Sequence, residues 1–326
     1  MFVRVDSVHM LEQVLASSEA RGPVLVFGGG SNLVVSDAGF DGLAIQLDMR
    51  GIETREAGRL VVAAGEPWEG VVEAAVQRGW AGLECLAGIP GRAGATPIQN
   101  VGAYGQEVAQ VLAAVEALDL EQGQRVRLEP EDCGFAYRDS RFKRERGRWI
   151  VTSVEFQLRP DGAPTLAYRE LQHALEGQEP TLAAVRETVL ALRRRKSMVV
   201  DPDDPDSRSV GSFFTNPIVD PAVAERICAQ AVKAGLVACA DDVPRYDGGA
   251  GRTKFPAAWL IERSGITKGM RRGGVAVSSK HTLALVNLGG GSTSQLVALA
   301  REIRDRVEGE FGVRLEPEPR FVGVTL

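Results

Sequence analysis

The sequence of 326 residues is poor in the side chains that build metal and redox centres. Its four cysteines, Cys85, Cys133, Cys228 and Cys239, are scattered with no C-x-x-C pair. That excludes a thioredoxin-like motif and a small disulfide scaffold, and buried or surface thiols in a reducing compartment are expected. The three histidines, His9, His173 and His281, lie far apart, so neither H-E-x-x-H nor a Cys/His zinc spacing exists and no metal is expected. Cations are outnumbered, 38 Lys and Arg against 43 Asp and Glu, for a net charge of −5. A nucleic-acid partner held by a broad basic face is thereby disfavoured, while a local cluster can still bind an anionic small molecule. No apolar run approaches the ~18 residues of a membrane span. The opening "MFVRVDSVHMLEQ" lacks the apolar core of a signal peptide. A soluble, cytoplasmic protein with no membrane partner is expected.

What is present is an ordinary globular composition, 44% hydrophobic and 25% charged, in a chain long enough for two or three domains. Apolar periodicity predicts helices over 7–20, 67–79, 181–196, 221–235, 256–264 and 293–311. The last has Ser292 and Gln295 in the spacing of a capping box. Strands are expected at 24–28, 33–36, 43–47, 59–64, 111–120, 124–128, 149–158, 274–277 and 283–287, an α+β mixture throughout. Pro202 and Pro205 bar "DPDDPDSRS" (201–209) from helix or central strand, which makes it the linker candidate.

Two glycine-rich stretches stand out. In "VLVFGGGSNLVVSD" (24–37) the glycines are followed by a strand-like run, so no helix N-terminus faces a pyrophosphate as in a Rossmann motif. No Lys-Ser/Thr follows either, which excludes a Walker A loop. A strand–loop–strand remains, with bare backbone N–H groups, Ser31 and Asn32 able to line an anion site; a hairpin turn that needs positive φ is the plain alternative. "GLECLAGIPGRAGATPIQNVGAYGQEV" (82–108) is long, small-residued and without regular pattern, and such loops tend to be functional. Together the two suggest a large cofactor approached closely by backbone.

These stretches, with "AYRDSRFK", "VGSFFTNP", "KFPAAWLIERSG" and "LEPEPRFVG" in that order, resemble the UDP-N-acetylenolpyruvoylglucosamine reductase (MurB) family over residues 24–323. The resemblance implies an FAD-binding fold of the vanillyl-alcohol-oxidase/PCMH type, two α/β subdomains, plus an α+β substrate-binding domain. Its boundaries would be 1–50 (with a C-terminal return, 312–326), 51–200 and 201–311. Gly28, Gly29, Gly30, Ser31 and Asn32 would hold the FAD diphosphate. Gly88, Pro90, Gly91, Asn100, Gly102, Ala103 and Tyr104 would lie along the flavin.

The implied reaction is reduction of an enolpyruvyl vinyl ether on a UDP-sugar. NADPH reduces FAD, flavin N5 delivers hydride to C3, and C2 receives a proton. The substrate carboxylate must take up developing negative charge, so a cation and a proton donor are needed there. By the resemblance Ser212 is the donor, Arg138 engages the carboxylate, and Glu318 is the catalytic Glu. Pro319, beside Glu318, departs from the family's usual β-branched residue. Lys196 matches the diphosphate-binding Lys, Asn216 an Asn of the same site, and Tyr168 the substrate-covering Tyr of the loop-bearing branch. His281 stands where another branch member has Gln. Arg193, Arg194 and Arg195 read as a solvated last helical turn that complements the helix dipole. No second nucleotide motif exists for NADPH, which fits a ping-pong scheme. A monomer is expected. The competing readings are a flavin oxidase of the same fold and a flavin- or UDP-sugar-binding regulatory module.

Overall fold

The alternation of Leu43–Leu47 buries every second side chain, and this strand is the centre of a parallel three-stranded sheet. Phe2–Val5 lies on one side and Val24–Phe27 on the other. Parallel neighbours need a crossover. The first is the helix Val8–Ala16, whose N-cap Ser7 accepts a hydrogen bond from the Met10 amide at 3.3 Å. Val5, Leu11, Ile45 and Met49 form the core of this layer. The structure is a computed structural model and describes residues 1–326.

A larger core follows. Five antiparallel strands run in the order Gln124–Leu128, Leu112–Asp119, Trp149–Gln157, Arg59–Ala63 and Ile52–Arg55. The helices Trp68–Gln77 and Leu182–Arg195 put Trp68, Val71, Val72, Val185 and Val189 into one cluster with Leu60, Val154 and Phe156. Trp68 is fully enclosed, and its indole N–H donates to the Leu86 carbonyl at 3.0 Å. That bond anchors the start of the second glycine-rich stretch.

The chain divides into two compact units. The first is Met1–Gly30 with Asp41–Val199, which holds both cores just described; the second is Ser31–Phe40 with Val200–Leu326. The second unit has a four-stranded sheet, ordered Ser209–Ser212, Ala284–Asn287, Val275–Val277 and Arg271–Arg272. Helices Pro221–Lys233, Ala257–Arg263 and Thr293–Phe311 supply Ile227, Leu260, Ile303 and Phe311 to its core, around Phe213, Phe214 and Phe255. Leu33–Val35 runs parallel to Arg320–Val322 in this unit, so the chain after the first glycines is strand, as its β-branched residues predict.

The expected helices and strands are all found, and the α+β class with them. The strands Phe2–Val5, Ile52–Arg55 and Ser209–Ser212 were not expected. The last is broken by a register shift and by Gly211 at φ +78°, which hides its alternation. The linker candidate 201–209 is tied down within the second unit. Asp206 is buried, and its Oδ2 accepts from Ser278 Oγ, Ser279 N and Ser279 Oγ at 3.1, 2.9 and 2.6 Å. No helix is long and apolar enough to cross a membrane.

Candidate active site

In the first unit the two glycine-rich stretches meet. A Cβ on Gly28 would lie 2.9 Å from Arg92 Cγ, and one on Gly29 would stand 3.5 Å from Gly91 Cα. Gly30, Gly88 and Gly91 have φ of +72°, +70° and +131°, a region in which a side chain is strained. Pro67 bridges to Arg92, and Trp68 N donates to the Gly91 carbonyl at 3.1 Å, so Pro90 and Gly91 are fixed by the start of a helix.

The far end of the second stretch is a hairpin, Gly102–Ala103 against Gln106–Glu107. Tyr104 and Gly105 form its two-residue turn, both at positive φ, +47° and +88°. Asn100, also left-handed at φ +45°, is 2% exposed. Its Nδ2 donates to Glu107 Oε2 and the Ala136 carbonyl at 2.8 and 3.1 Å, while its Oδ1 accepts from Ala109 N at 3.0 Å. The Asn100 side chain is therefore engaged by the protein itself and fixes the loop's shape. A Cβ on Gly102 would meet the Gln106 carbonyl at 2.8 Å. This cradle of bare backbone fits a flat ring system and a diphosphate approached at main-chain distance.

Arg138 is brought to the same loop. It is half-buried, has φ +53°, and its guanidinium donates to the carbonyls of Asn100 and Gly102. Lys143 Nζ holds the Arg138 carbonyl at 2.7 Å, and the Tyr137 ring lies 5.2 Å from Arg138 Cζ. A guanidinium has five donors in a rigid fork, the geometry that suits a carboxylate.

Tyr104, Tyr168 and Lys196, far apart in sequence, also converge. The Tyr104 and Tyr168 rings meet edge-on at 5.4 Å, and Lys196 Nζ lies 5.9 Å from the Tyr104 centroid. Lys196 pairs with Glu170 at 2.6 Å. Burial pushes the Tyr104 phenol up to about 12, so it stays protonated at neutral pH. Tyr168 is 42% exposed, on the surface side of the Tyr104 ring.

In the second unit, Ser212 closes the strand Ser209–Ser212 opposite Ala284. The next residue, Phe213, donates from its amide to Leu283 O at 2.7 Å and accepts at its carbonyl from Glu318 N at 2.8 Å. Ser212 and Glu318 thus sit on neighbouring backbone. Asn32 lies on the other side of Glu318: its Nδ2 donates to the Glu318 carbonyl at 3.3 Å, and its own carbonyl accepts from Arg320 N at 2.9 Å. Pro319 falls between two bonded amides, 318 and 320, where a missing N–H takes nothing from either ladder. His281 sits in the turn from Ser278 to Ala284, its amide donating to Ser278 Oγ at 3.3 Å and its carbonyl accepting from Ala284 N at 3.0 Å. Asn216 Oδ1 accepts from Ala257 N at 2.8 Å, which fastens the start of the helix Ala257–Arg263 and leaves its Nδ2 donors for other partners.

One expectation fails. Arg194 and Arg195 are exposed, as a solvated last turn requires, but Arg193 is 9% exposed. The signal was available: Val185, Val189 and Arg193 follow one another at i, i+4 along the buried face of the helix Leu182–Arg195. The Lys196–Glu170 pair had no such signal, since 26 residues separate its members.

Residues 203–322 match the family described as UDP-N-acetylenolpyruvoylglucosamine reductase, C-terminal domain, and residues 1–129 match an FAD binding domain. The chain is 48% identical to the UDP-N-acetylenolpyruvoylglucosamine reductase of Streptomyces coelicolor, covering 100% of this chain and 86% of that one. The Thermobifida fusca protein of the same name is 47% identical, with 99% and 93% covered. The crystal structure of UDP-N-acetylenolpyruvylglucosamine reductase (MurB) from Thermus caldophilus superposes with a TM-score of 0.66 at 26% identity, covering 98% of this chain and 91% of that one. The expected FAD-binding fold holds, and the chain belongs to the UDP-N-acetylenolpyruvoylglucosamine reductase family of flavin-dependent oxidoreductases.

Proposed function

We propose that this chain uses NADPH and FAD to reduce UDP-N-acetylglucosamine enolpyruvate to UDP-N-acetylmuramate, with Ser212, Arg138 and Glu318 as its catalytic residues. The observation that carries the reading is the seat of Glu318, bonded through its amide to Phe213 and hence beside Ser212. Bound FAD supplies the hydride that reaches C3 of the enolpyruvyl group. The protein's part is to hold the substrate, to spread the negative charge that grows on its carboxylate, and to protonate C2.

Arg138 suits the carboxylate because its charge is permanent and its fork is aimed by two loop carbonyls. Ser212 is a weak acid in water, but a carboxylate-stabilised carbanion is basic enough to take its proton. Glu318 shares a proton with the substrate carboxylate and so limits its charge. Lys196 and Tyr168 hold the UDP moiety, with Asn216 and His281 as further hydrogen-bonding groups. Gly28, Gly29, Gly30, Ser31 and Asn32 take the FAD diphosphate, and Gly88, Pro90, Gly91, Asn100, Gly102, Ala103 and Tyr104 follow the flavin, with Asn100 also shaping the loop. The organisation proposed is two cofactor-binding subdomains, 1–50 with 312–326 and 51–200, and a substrate-binding domain, 201–311; separate cores for 1–50 and 51–200 support the first division, while Val313, Leu315 and Phe321 pack in the core of 201–311. We propose a cytoplasmic monomer.

The test is a visible spectrum of the purified protein, followed anaerobically by NADPH and then by the enolpyruvyl UDP-sugar. Flavin bands that bleach with NADPH and return with the UDP-sugar support the reading. Bands that return only with oxygen indicate an oxidase, and a protein that cannot be reconstituted with FAD refutes the use made of both glycine loops.

A further inference from the structure

Arg193 is a cation that the fold does not need. Its side chain is 9% exposed, near the end of the helix Leu182–Arg195. Nη2 donates to the Met198 carbonyl at 2.9 Å, and Nε is buried with no hydrogen-bond partner. No carboxylate is within ion-pair distance of it. The nearest acid in electrostatic terms, Glu69, is occupied: Oε1 accepts from Arg186 at 2.6 Å and Oε2 from the Gly88 amide at 2.5 Å.

Burying a guanidinium without a counterion is costly, and an apolar side chain of similar volume at such a position is often neutral or stabilising. Stability therefore does not account for Arg193, and its surroundings point to a ligand. A Cβ on Gly88 would stand 3.3 Å from Arg193 Nε. The phenol of Tyr104 feels the charge of Arg193. The hydrogen bond to Met198 closes the turn whose first residues are Lys196 and Ser197, Ser197 being left-handed at φ +53°. Lys196 is itself neutralised by Glu170, so the buried positive charge behind this patch is that of Arg193.

We propose that Arg193 is a positioning residue for the UDP-sugar. It fixes the turn that presents Lys196, and it adds positive potential, little screened by water, for a ligand diphosphate. The proposal rests on the preceding assignment of Lys196 to that diphosphate.

The experiment uses the FAD-loaded protein and uridine diphosphate as probe, with calorimetric Kd and Tm for wild type, Arg193→Met and Arg193→Lys. Met fills the space without charge; Lys keeps the charge without the fork. Expected are a Tm of Arg193→Met equal to or above wild type, a Kd weakened about tenfold, a shallower salt dependence, and recovery of most affinity in Arg193→Lys. With the full reaction, KM should rise more than kcat falls. The proposal is overturned if Arg193→Met binds the probe as wild type does. It is overturned equally by a loss that tracks a fall in Tm and is not rescued by Lys, which marks a structural role, or by a loss confined to FAD affinity. Wild type that does not bind uridine diphosphate refutes the UDP-sugar assignment itself, and this proposal with it.

Discussion

The backbone amide of Glu318 donates to the carbonyl of Phe213 at 2.8 Å, which places the carboxyl-bearing residue one step across a ladder from Ser212. One sheet edge therefore fixes both groups, and any backbone shift at one is felt by the other. On its far side Glu318 is held by Asn32, so the segment is fastened from two directions.

Replacement of Ser212 by Ala removes a hydroxyl and leaves these bonds untouched. The variant should bind FAD and be reduced by NADPH at the wild-type rate, while reoxidation by the UDP-sugar slows by about 10²-fold or more, the usual worth of a positioned proton donor. Stopped-flow absorbance separates the two half-reactions. Unchanged reoxidation would remove Ser212 from the mechanism.

Gly29 is exposed, and its Cβ position faces Gly91 at 3.5 Å. Alanine there would be tolerated, but the two methyls of Val would fill the space between the glycine stretches. Gly29→Val should fold, with a near-native Tm, and purify without flavin. A fully yellow variant would show that this loop does not carry the diphosphate.

Asp37 caps the long helix Thr293–Phe311 from outside, accepting from the Thr293 and Ser294 amides at 2.7 and 3.2 Å. The Thr293 amide bond is the chief cause that lowers its pKa. A depressed carboxyl stabilises the fold above its unfolded pKa, and that contribution is lost as pH falls through about 4 and below. Thermal melts of wild type should lose more between neutral and acid pH than melts of Asp37→Asn, with the two curves closing at low pH. Parallel curves would deny the cap its charge.

The sequence by itself determined most of the element order, because helical and strand periodicities are local properties of short windows. It determined the strand after the first glycines, since Val34 and Val35 are β-branched and the turn-forming Ser36 and Asp37 follow at once. The motifs that name the family were equally legible, as each is contiguous. Tertiary structure alone decided the rest. Whether a proline at 319 harms the site depends on which amides the ladder uses, and those belong to Phe213 and Asn32, remote in sequence. That Asn100 fastens its own loop depends on Glu107, Ala109 and Ala136, which bond its side-chain amide. Three adjacent arginines look alike in a string, yet the helix turns Arg193 inward and leaves Arg194 and Arg195 in water. Burial and partnership are properties of what packs on a residue, and a sequence window contains only the residue.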